Sequence, residues 1–339
     1  MGVPGLVTVA IPAFNRASLA VRAVNSALAQ SYSDLEVLVS DDASGDETAQ
    51  SIRNINDARL VFFAQRERLG LVGNFDFCLR HASGEFFLLL GDDDVLLPQA
   101  VERLLSPFLR PPRGIEPESI GLAWCPCRIA RPDGAQLWIT EAGPELESPV
   151  ALLSGLWAGR RGPRLSGILM RTADAIAAGG FQERHGHLCD LGAWGSAALS
   201  HDYVACINEP LVQYTNHHGT TTSRSSVREW QDWARVVHAE LVACARVRGS
   251  PEAQQELERG RRNLVSAITL TILIQTIGRR GWIRNTFREA LRSPGALLTP
   301  YVCRRLGKDG WKVLRLLSLR RTQPCVPYRD SSRHLGRGV

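Results

Sequence analysis

The sequence predicts an α/β fold in which a mostly parallel central sheet is covered by helices on both faces. In the first hundred residues, short β-branched or apolar segments alternate with segments whose apolar residues recur at helical spacing. That alternation is typical of a parallel sheet with crossover helices. Three of the predicted strands end in polar residues, at Asn15, at Asp41 and Asp42, and at Asp92 to Asp94. Because parallel strands bring their carboxyl ends to one edge, we expect a ligand site there.

The predicted elements follow one another in order. Val7 to Ile11 is a β-branched strand that Pro12 ends, and Phe86 to Leu90 is a fully apolar strand that stops at Gly91. In the first half we expect strands at 7–11, 35–39, 59–64 and 86–90 and helices at 18–30, 46–54, 72–82 and 98–106. After residue 110 the pattern is less regular, with strands near 120–130, 165–171 and 204–214 and a helix from about 190 to 200. From residue 226 onward the pattern is helical, with breaks at glycine and proline.

Composition limits the class of protein. At 339 residues the chain is long enough for one large domain or for a domain with an appendage. No apolar run reaches the roughly 18 residues of a membrane-spanning helix, and the first residues lack the pattern of a secretory signal. We therefore expect a cytoplasmic protein that is soluble or peripheral. The eight cysteines are expected to be reduced thiols, since the only close pair, Cys125 and Cys127, has poor spacing for zinc.

Charge divides the chain into two parts. From residue 225 onward there are 22 Lys and Arg against 9 Asp and Glu, whereas the preceding residues have 18 against 25. The basic part contains the apolar run Leu264 to Ile277. Two interpretations stay open for it: peripheral contact with the inner face of a membrane, or packing against the rest of the protein. No nucleic-acid-binding motif accompanies the charge, so we expect no nucleic-acid partner.

Two acidic motifs could bind a ligand. Gly91-Asp92-Asp93-Asp94 follows an apolar strand, and such carboxylates suit a divalent cation that neutralises a diphosphate. The alternative is a solvated turn that caps the next helix. The segment Ser40 to Thr48 either caps a helix or accepts hydrogen bonds from a base or ribose. The residues alone leave these alternatives open.

Several short motifs follow one another in a fixed order. They are Ile11–Arg16, Ala27–Tyr32, Leu35–Thr48, Leu69–Gly70, Asn74 and Ala82–Pro98, and then Gly179–Phe181, Asp190 and Asn208–His217. In combination they resemble the motifs of family 2 glycosyltransferases, and the resemblance covers about residues 7–224. It implies a Rossmann-like GT-A domain at 1–224, with a nucleotide-binding half at about 1–110 and an acceptor half at about 111–224. A basic helical extension at 225–322 and a tail at 323–339, expected to be disordered, complete the predicted organisation.

The resemblance implies a role for each matching residue on the donor side. Pro12, Ala13, Phe14 and Asn15 resemble the loop that lines the base and ribose, Asp42 matches an acid that contacts the base, and Asn74 and Asp92 are further expected contacts of the nucleotide sugar. Asp93 and Asp94 match the carboxylates beside the donor phosphates and a Mn²⁺ or Mg²⁺ ion. His217, or its neighbour His218, matches a histidine near the metal. Gly91 replaces the leading Asp that is common in the family.

On the acceptor side, the resemblance implies that Asp190 is the general base. It would remove the proton of the acceptor hydroxyl as that oxygen attacks the anomeric carbon, with inversion of the anomeric configuration. Two positions depart from the family pattern. Cys189 replaces a common Glu before the base, and Thr215 replaces a basic residue that usually follows the tyrosine at 214. We therefore expect one diphosphate contact of the family to be absent.

The resulting expectation is an inverting, metal-dependent glycosyltransferase of the hexosyltransferase type. Its donor would be a nucleoside-diphosphate sugar, with UDP-sugars favoured, and its acceptor a glycan, a lipid-linked molecule or a small molecule in glycoconjugate synthesis. One alternative is a sugar-nucleotide pyrophosphorylase, which would usually show a Gly-rich N-terminal loop unlike Ile11–Arg16. The other is an inactive scaffold that binds nucleotide sugars, against which the intact acids Asp42, Asp93, Asp94 and Asp190 argue.

Overall fold

The computed structural model describes residues 2–158, 161–216, 225–247, 251–261 and 264. The strands are β1 (Val3–Ala13), β2 (Leu35–Asp41), β3 (Leu60–Ala64), β4 (Gly84–Leu89), β5 (Val95–Leu96), β6 (Ile120–Trp124), β7 (Cys127–Ala130), β8 (Gln136–Ile139), β9 (Leu146–Glu147), β10 (Ile168–Arg171), β11 (Tyr203–Cys206) and β12 (Val212–Thr215). The helices are α1 (Ala17–Leu28), α2 (Thr48–Arg53), α3 (Gly70–His81), α4 (Ala100–Leu109), α5 (Pro149–Trp157), α6 (Thr172–Ala177), α7 (Cys189–Ala198) and α8 (Val227–Val247). Residues 251–261 are also helical.

The larger of two sheets has eight strands in the order β3-β2-β1-β4-β10-β6-β11-β9. Its first four strands are parallel, since β1 pairs in parallel with β2 and β4, and β2 pairs in parallel with β3. β10 is antiparallel to both of its neighbours, and β9 is antiparallel to β11. The smaller sheet has the order β5-β12-β7-β8. The central position of β1 places the ends of β2 and β4 on either side of its own end.

Two hydrophobic clusters form on opposite faces of the larger sheet, because side chains alternate along each strand. In β1, Val9 belongs to one cluster and Ala10 to the other, and in β4 the same holds for Leu88 and Leu89. α1 and α4 pack in the first cluster, and α3, α5 and α7 pack in the second. The predicted α/β layers with helices on both faces are thereby confirmed.

The structure differs from the prediction mainly after residue 110. The region near 120–130 forms two strands, because Pro126, which has no amide hydrogen, separates β6 from β7. The segment Asn208–Pro210 likewise separates β11 from β12. The short elements β5, β8, β9 and α6 carry too little periodicity to be predicted. α5 is also absent from the predicted helices, although Ser148, which accepts a hydrogen bond from the Ala151 amide, marks its start.

The described beginning of the basic extension packs on the rest of the protein. Ala234, Val237 and Leu241 of α8 are buried in the same cluster as α7. Packing is thus the observed arrangement for this helix, whereas the run from residue 265 to Ile277 and the tail at 323–339 lie outside the described residues. None of the described helices combines the length and apolar character needed to cross a bilayer.

Substitution of Gly84 tests how closely β4 approaches β1. A methyl group at Gly84 would lie 2.7 Å from the Leu6 carbonyl oxygen and 2.7 Å from the Thr8 amide nitrogen, both backbone atoms that cannot turn away. We expect Gly84→Ala to lower the free energy of unfolding by about 1–3 kcal/mol or more in denaturant titration.

Gly45→Ala is the matched control, because no atom lies within 4 Å of its added methyl. This change should alter the unfolding free energy by about 0.5 kcal/mol or less. Equal effects of the two substitutions would contradict the close approach of β4 to β1.

Candidate active site

The polar residues at the ends of β1, β2 and β4 do converge, as their parallel pairing predicts. Ala13 pairs with Asp41 across β1 and β2, and the Asp42 amide donates to the Ala13 carbonyl at 2.9 Å. On the other side, the Phe14 amide donates to Asp92 Oδ2 at 3.3 Å. One sheet edge therefore holds the loop after β1, the acids after β2 and the acidic turn after β4.

The loop after β1 is held in an unusual conformation by its neighbour. Asn15 and Ala43 have φ values of 52° and 54°, which non-glycine residues rarely adopt. The Asn15 amide donates to Ser44 Oγ, and the Asn15 side chain accepts from the Gly45 amide, both at 2.8 Å. Ser44 in turn donates to Asp41. Asn15 thus fixes the two loops together, while Pro12 and Ala13 are buried beneath them.

Asp42 acts as a helix cap, although not for α2, the helix that follows its own motif. Its two carboxylate oxygens accept from the amides of Leu69 at 2.5 Å and Gly70 at 3.0 Å, so Asp42 caps the start of α3. Burial raises its pKa. Arg68 Nε lies 3.8 Å from Asp42 Oδ2, and the Arg68 guanidinium covers the Phe14 ring at 4.0 Å. The Phe14 ring and the Arg68 guanidinium thereby form a partly exposed platform beside the buried Asp42 carboxylate.

Asn74 of α3 points at the same edge from below. It is 3% exposed, and its Nδ2 donates to the Ser40 carbonyl at 3.1 Å. Its Oδ1 is buried and has no hydrogen-bond partner among the described residues. Because a buried acceptor without a partner is costly, Oδ1 is a candidate ligand contact.

The acidic turn after β4 carries three carboxylates in three environments. Arg16 Nη1 lies between two of them, 2.7 Å from Asp92 Oδ1 and 2.8 Å from Asp93 Oδ2. Asp94 accepts from Ser166 Oγ at 2.6 Å and from the Thr215 amide at 2.9 Å. Burial raises the pKa of Asp92 and of Asp94, and the charge of Asp93 raises both further. A cation bound beside this turn would therefore stabilise the ionised forms of its carboxylates.

Arg22 and Thr215 tie this turn to the smaller sheet. Arg22 Nη2 donates to the Asp93 carbonyl at 2.8 Å and to Thr215 Oγ1 at 3.1 Å. Thr215, which stands where the family usually has a basic residue, thus anchors Arg22 and Asp94 and supplies no charge of its own.

Asp190 lies in the first turn of α7. Its carboxylate accepts from the Leu191 amide, and burial raises its pKa to about 6. The positive charge of Arg164 partly opposes that shift. Arg164 also lies over the Tyr214 ring, 5.5 Å from its centroid, and the charges of Asp93 and Asp94 act on Tyr214 as well. Asp190 therefore belongs to the same charged region as the acidic turn, and it is ionised at neutral pH.

The segment before Asp190 is supported by α8. Within the 3₁₀ segment Glu183–Leu188, His185 Nε2 lies 2.7 Å from Glu240 Oε2, and Arg184 Nε donates to Glu240 Oε1 at 2.6 Å. Gly186 has a φ of 51° and lies directly beneath the Trp233 ring. The first helix of the basic extension thus holds the approach to the proposed base.

The described residues do not form a complete metal site by themselves. No three acidic, histidine or cysteine residues among them are arranged to hold an ion together, and His217 and His218 lie outside the described residues. The donor set nevertheless suits a hard cation, because it consists of carboxylate oxygens that a guanidinium already bridges. The Asp93 side chain keeps 17% exposure against 10% for Asp92, so it is the more accessible of the pair.

Sequence reasoning missed several basic and hydroxyl residues of the site. Arg16, Arg22 and Arg68 lie within or beside quoted motifs, but no spacing rule assigns them to a particular carboxylate. Ser166 and Arg164 belong to an irregular stretch with no motif. Only the folded chain shows that they meet the acidic turn and Tyr214.

Comparisons with known proteins show which family part of this chain resembles. Residues 8–116 match the family described as Glycosyl transferase family 2. A GalNAc(5)-diNAcBac-PP-undecaprenol beta-1,3-glucosyltransferase of Campylobacter jejuni is 40% identical over 102 residues, which are 29% of this chain and 33% of that protein. The UDP-Glc:alpha-D-GlcNAc-diphosphoundecaprenol beta-1,3-glucosyltransferase WfgD of Escherichia coli is 30% identical over 105 residues, which are 31% of this chain and 42% of that protein.

Among solved structures, a TarS fragment of S. aureus in complex with UDP-GlcNAc superposes with a TM-score of 0.56 at 16% identity, over 85% of this chain and 92% of that one. This likeness confirms the predicted GT-A fold, and the family match confirms the predicted resemblance over residues 8–116. The matched segments span only about a third to two fifths of the two curated relatives.

Gly186 tests the support that α8 gives to the segment before Asp190. A methyl group there would lie 2.0 Å from Trp233 Cε2, and the residue already has a positive φ. We expect Gly186→Ala to loosen the docking of α8, which hydrogen exchange would report as faster exchange at 183–191 and 227–247.

Gly134→Ala is the control, because it introduces the backbone strain without the steric clash. Gly134 has a φ of 84°, yet nothing lies within 4 Å of an added methyl. It should leave exchange in both segments unchanged. If Gly186→Ala also leaves them unchanged, α8 does not hold this segment.

Proposed function

We propose that this chain, whose residues 8–116 match the family described as Glycosyl transferase family 2, transfers a sugar from a nucleoside-diphosphate sugar to an acceptor hydroxyl with inversion. One observation carries the proposal. The acidic turn after β4 and the Phe14–Arg68 platform lie at one sheet edge, and the charge of Arg164 links the Asp190 carboxylate of α7 to the same region. Sugar transfer from a nucleoside diphosphate requires a bound nucleoside, a bound diphosphate and a base that removes the acceptor proton. The platform, the acidic turn and the Asp190 carboxylate suit these three roles in that order.

The platform suits the nucleoside. A planar base can stack on the Phe14–Arg68 pair, and the buried Asn74 Oδ1 offers an acceptor to a donor N–H or hydroxyl. A uridine nucleotide is favoured, because one of the curated relatives is named for UDP-glucose. Asp42, whose oxygens already accept from two amides, would contact the base only by sharing its remaining lone pairs.

The acidic turn suits the diphosphate with a divalent cation, Mn²⁺ or Mg²⁺. Asp93 is the proposed direct ligand because it is the more accessible carboxylate of the pair, and Asp94 and His217 complete the proposed set. Asp94 acts chiefly by position, since both of its oxygens already accept hydrogen bonds. When bound, the cation would neutralise charge on the leaving diphosphate. Arg16 holds Asp92 and Asp93 in place beside it.

Asp190 suits the base. An ionised carboxylate with a pKa of about 6 accepts a proton more readily than an ordinary aspartate and stays ionised at neutral pH. The acceptor is proposed to be a hydroxyl of a lipid-linked glycan or polysaccharide, because both curated relatives described above are named for undecaprenol-linked acceptors. Cytoplasmic placement at the membrane face, where such acceptors occur, is part of the same proposal.

Substitution of the base tests the assignment. Asp190→Asn keeps the shape of the side chain but cannot take a proton, so the transfer rate to a lipid-linked glycan acceptor should fall by about 10²–10⁴-fold. Donor affinity, measured by calorimetry, should stay within about twofold. Loss of donor binding with loss of transfer would make Asp190 a structural residue.

The pH profile of transfer gives a second test of the same residue. The base works only when ionised, so kcat should be flat near neutrality and fall about tenfold per pH unit below pH 6, as Asp190 gains a proton. A rate that stays constant down to pH 5 would contradict the role of a carboxylate with a raised pKa as the base.

The metal assignment is tested by direct Mn²⁺ binding in the presence of UDP. Asp93→Asn should weaken Mn²⁺ binding by about tenfold or more in titration calorimetry or paramagnetic resonance, because a carboxylate ligand is lost. Asp34→Asn removes an exposed acid elsewhere and should have no effect. Unchanged Mn²⁺ affinity in Asp93→Asn would remove Asp93 from the metal set.

A further inference from the structure

Arg164 lies in the acidic region of the site but forms no ion pair with any of the described residues. Its side chain is exposed, and no carboxylate in the described part of the chain lies within ion-pair distance of its guanidinium. Its charge nevertheless acts on Asp190 on one side and on Tyr214 on the other. Arginines in such surroundings ordinarily form a salt bridge, as Arg16 does here. An unpaired guanidinium between the acidic turn and the base is thus available to an anion.

The backbone of Arg164 is fixed relative to the acidic turn. Its carbonyl accepts from the Gly167 amide at 2.9 Å, and its amide donates to the Cys127 thiol. Two residues later, Ser166 Oγ donates to Asp94 and accepts from the Gly91 amide at 3.1 Å. The guanidinium lies over the Tyr214 ring, and this contact does not use its N–H donors. The guanidinium is therefore presented from a rigid support.

In the described part of the site, Arg16 and Arg22 are already engaged by protein groups. Position 215 carries a threonine whose amide and hydroxyl bond to Asp94 and Arg22, and Arg16 is engaged by Asp92 and Asp93. A diphosphate in this region would face several carboxylates. A planar guanidinium with parallel N–H donors matches phosphate oxygens in geometry and charge.

We propose that Arg164 binds the β-phosphate of the donor and stabilises it as the leaving group; this inference rests on the proposed function. In the transfer step, the acceptor oxygen forms a bond to the anomeric carbon and gives its proton to Asp190. The bond from that carbon to the β-phosphate oxygen breaks, and its electron pair stays on the departing nucleoside diphosphate. Arg164 donates hydrogen bonds to the oxygen that gains this charge.

The test compares UDP and UMP, which differ only in the β-phosphate. With Mn²⁺ present, Arg164→Gln should weaken UDP binding by about 10- to 100-fold in titration calorimetry, because charge-assisted hydrogen bonds are lost. UMP binding should change by less than about twofold. Arg164→Lys keeps the charge but not the paired donors, so its UDP affinity should be intermediate.

Arg68→Gln is the matched control, because Arg68 covers Phe14 on the nucleoside side. It should weaken UDP and UMP by the same factor. If Arg164→Gln changes neither nucleotide, or both equally, the assignment to the β-phosphate is wrong. If Arg164→Gln does not fold, the UDP-to-UMP ratio of Arg164→Lys decides in the same way. Absence of UDP binding by the wild-type protein would instead overturn the proposed uridine donor, and this inference with it.

Discussion

Burial of carboxylates at the ends of parallel strands is the constraint on which the rest of this structure depends. Asp42, Asp92 and Asp94 are each 7% exposed or less, and a buried carboxylate needs hydrogen-bond donors or a cation. Those donors come from the start of α3, from Arg16 and from Ser166 with Thr215. Each acid therefore draws a distant segment to the sheet edge. The hydrogen bonds that stabilise the buried acids are therefore the same contacts that assemble the site.

This constraint also joins the two halves of the molecule. Arg22 links the acidic turn to β12 of the smaller sheet, and Ser166 links it to the segment that carries Arg164. On the far side, α8 packs on α7 and on the segment before Asp190. The basic extension thus supports the segment before the proposed base, whereas residues from both halves hold the acidic turn. The proposed base, which would face the acceptor, and the acidic turn, which would face the donor diphosphate, are therefore held by different sets of contacts.

The sequence predicts the first half of the fold well, because each strand is a short β-branched or apolar segment and each longer helix has a clear period. It also predicts that Asn15, Asp42 and Asp92 to Asp94 meet, since parallel strands end together. It does not predict β5, β8 or β9, which are too short to show a pattern. It cannot assign Arg16 to Asp92 and Asp93, or Ser166 to Asp94, because those pairs lie 76, 77 and 72 residues apart and no periodicity relates them. The separate roles of three adjacent aspartates become visible only in the folded chain.

The central claim is that this sheet edge binds a nucleoside-diphosphate sugar. The most direct measurement is the thermal midpoint of the wild-type protein against a panel of nucleotide sugars with Mn²⁺, with the free sugars as controls. A ligand that binds only the folded state raises that midpoint as its concentration exceeds the dissociation constant. The account predicts that at least one nucleotide sugar raises it and that the corresponding free sugar does not. If no nucleotide sugar on a broad panel shifts the midpoint, the acids and the Phe14–Arg68 platform do not form a donor site.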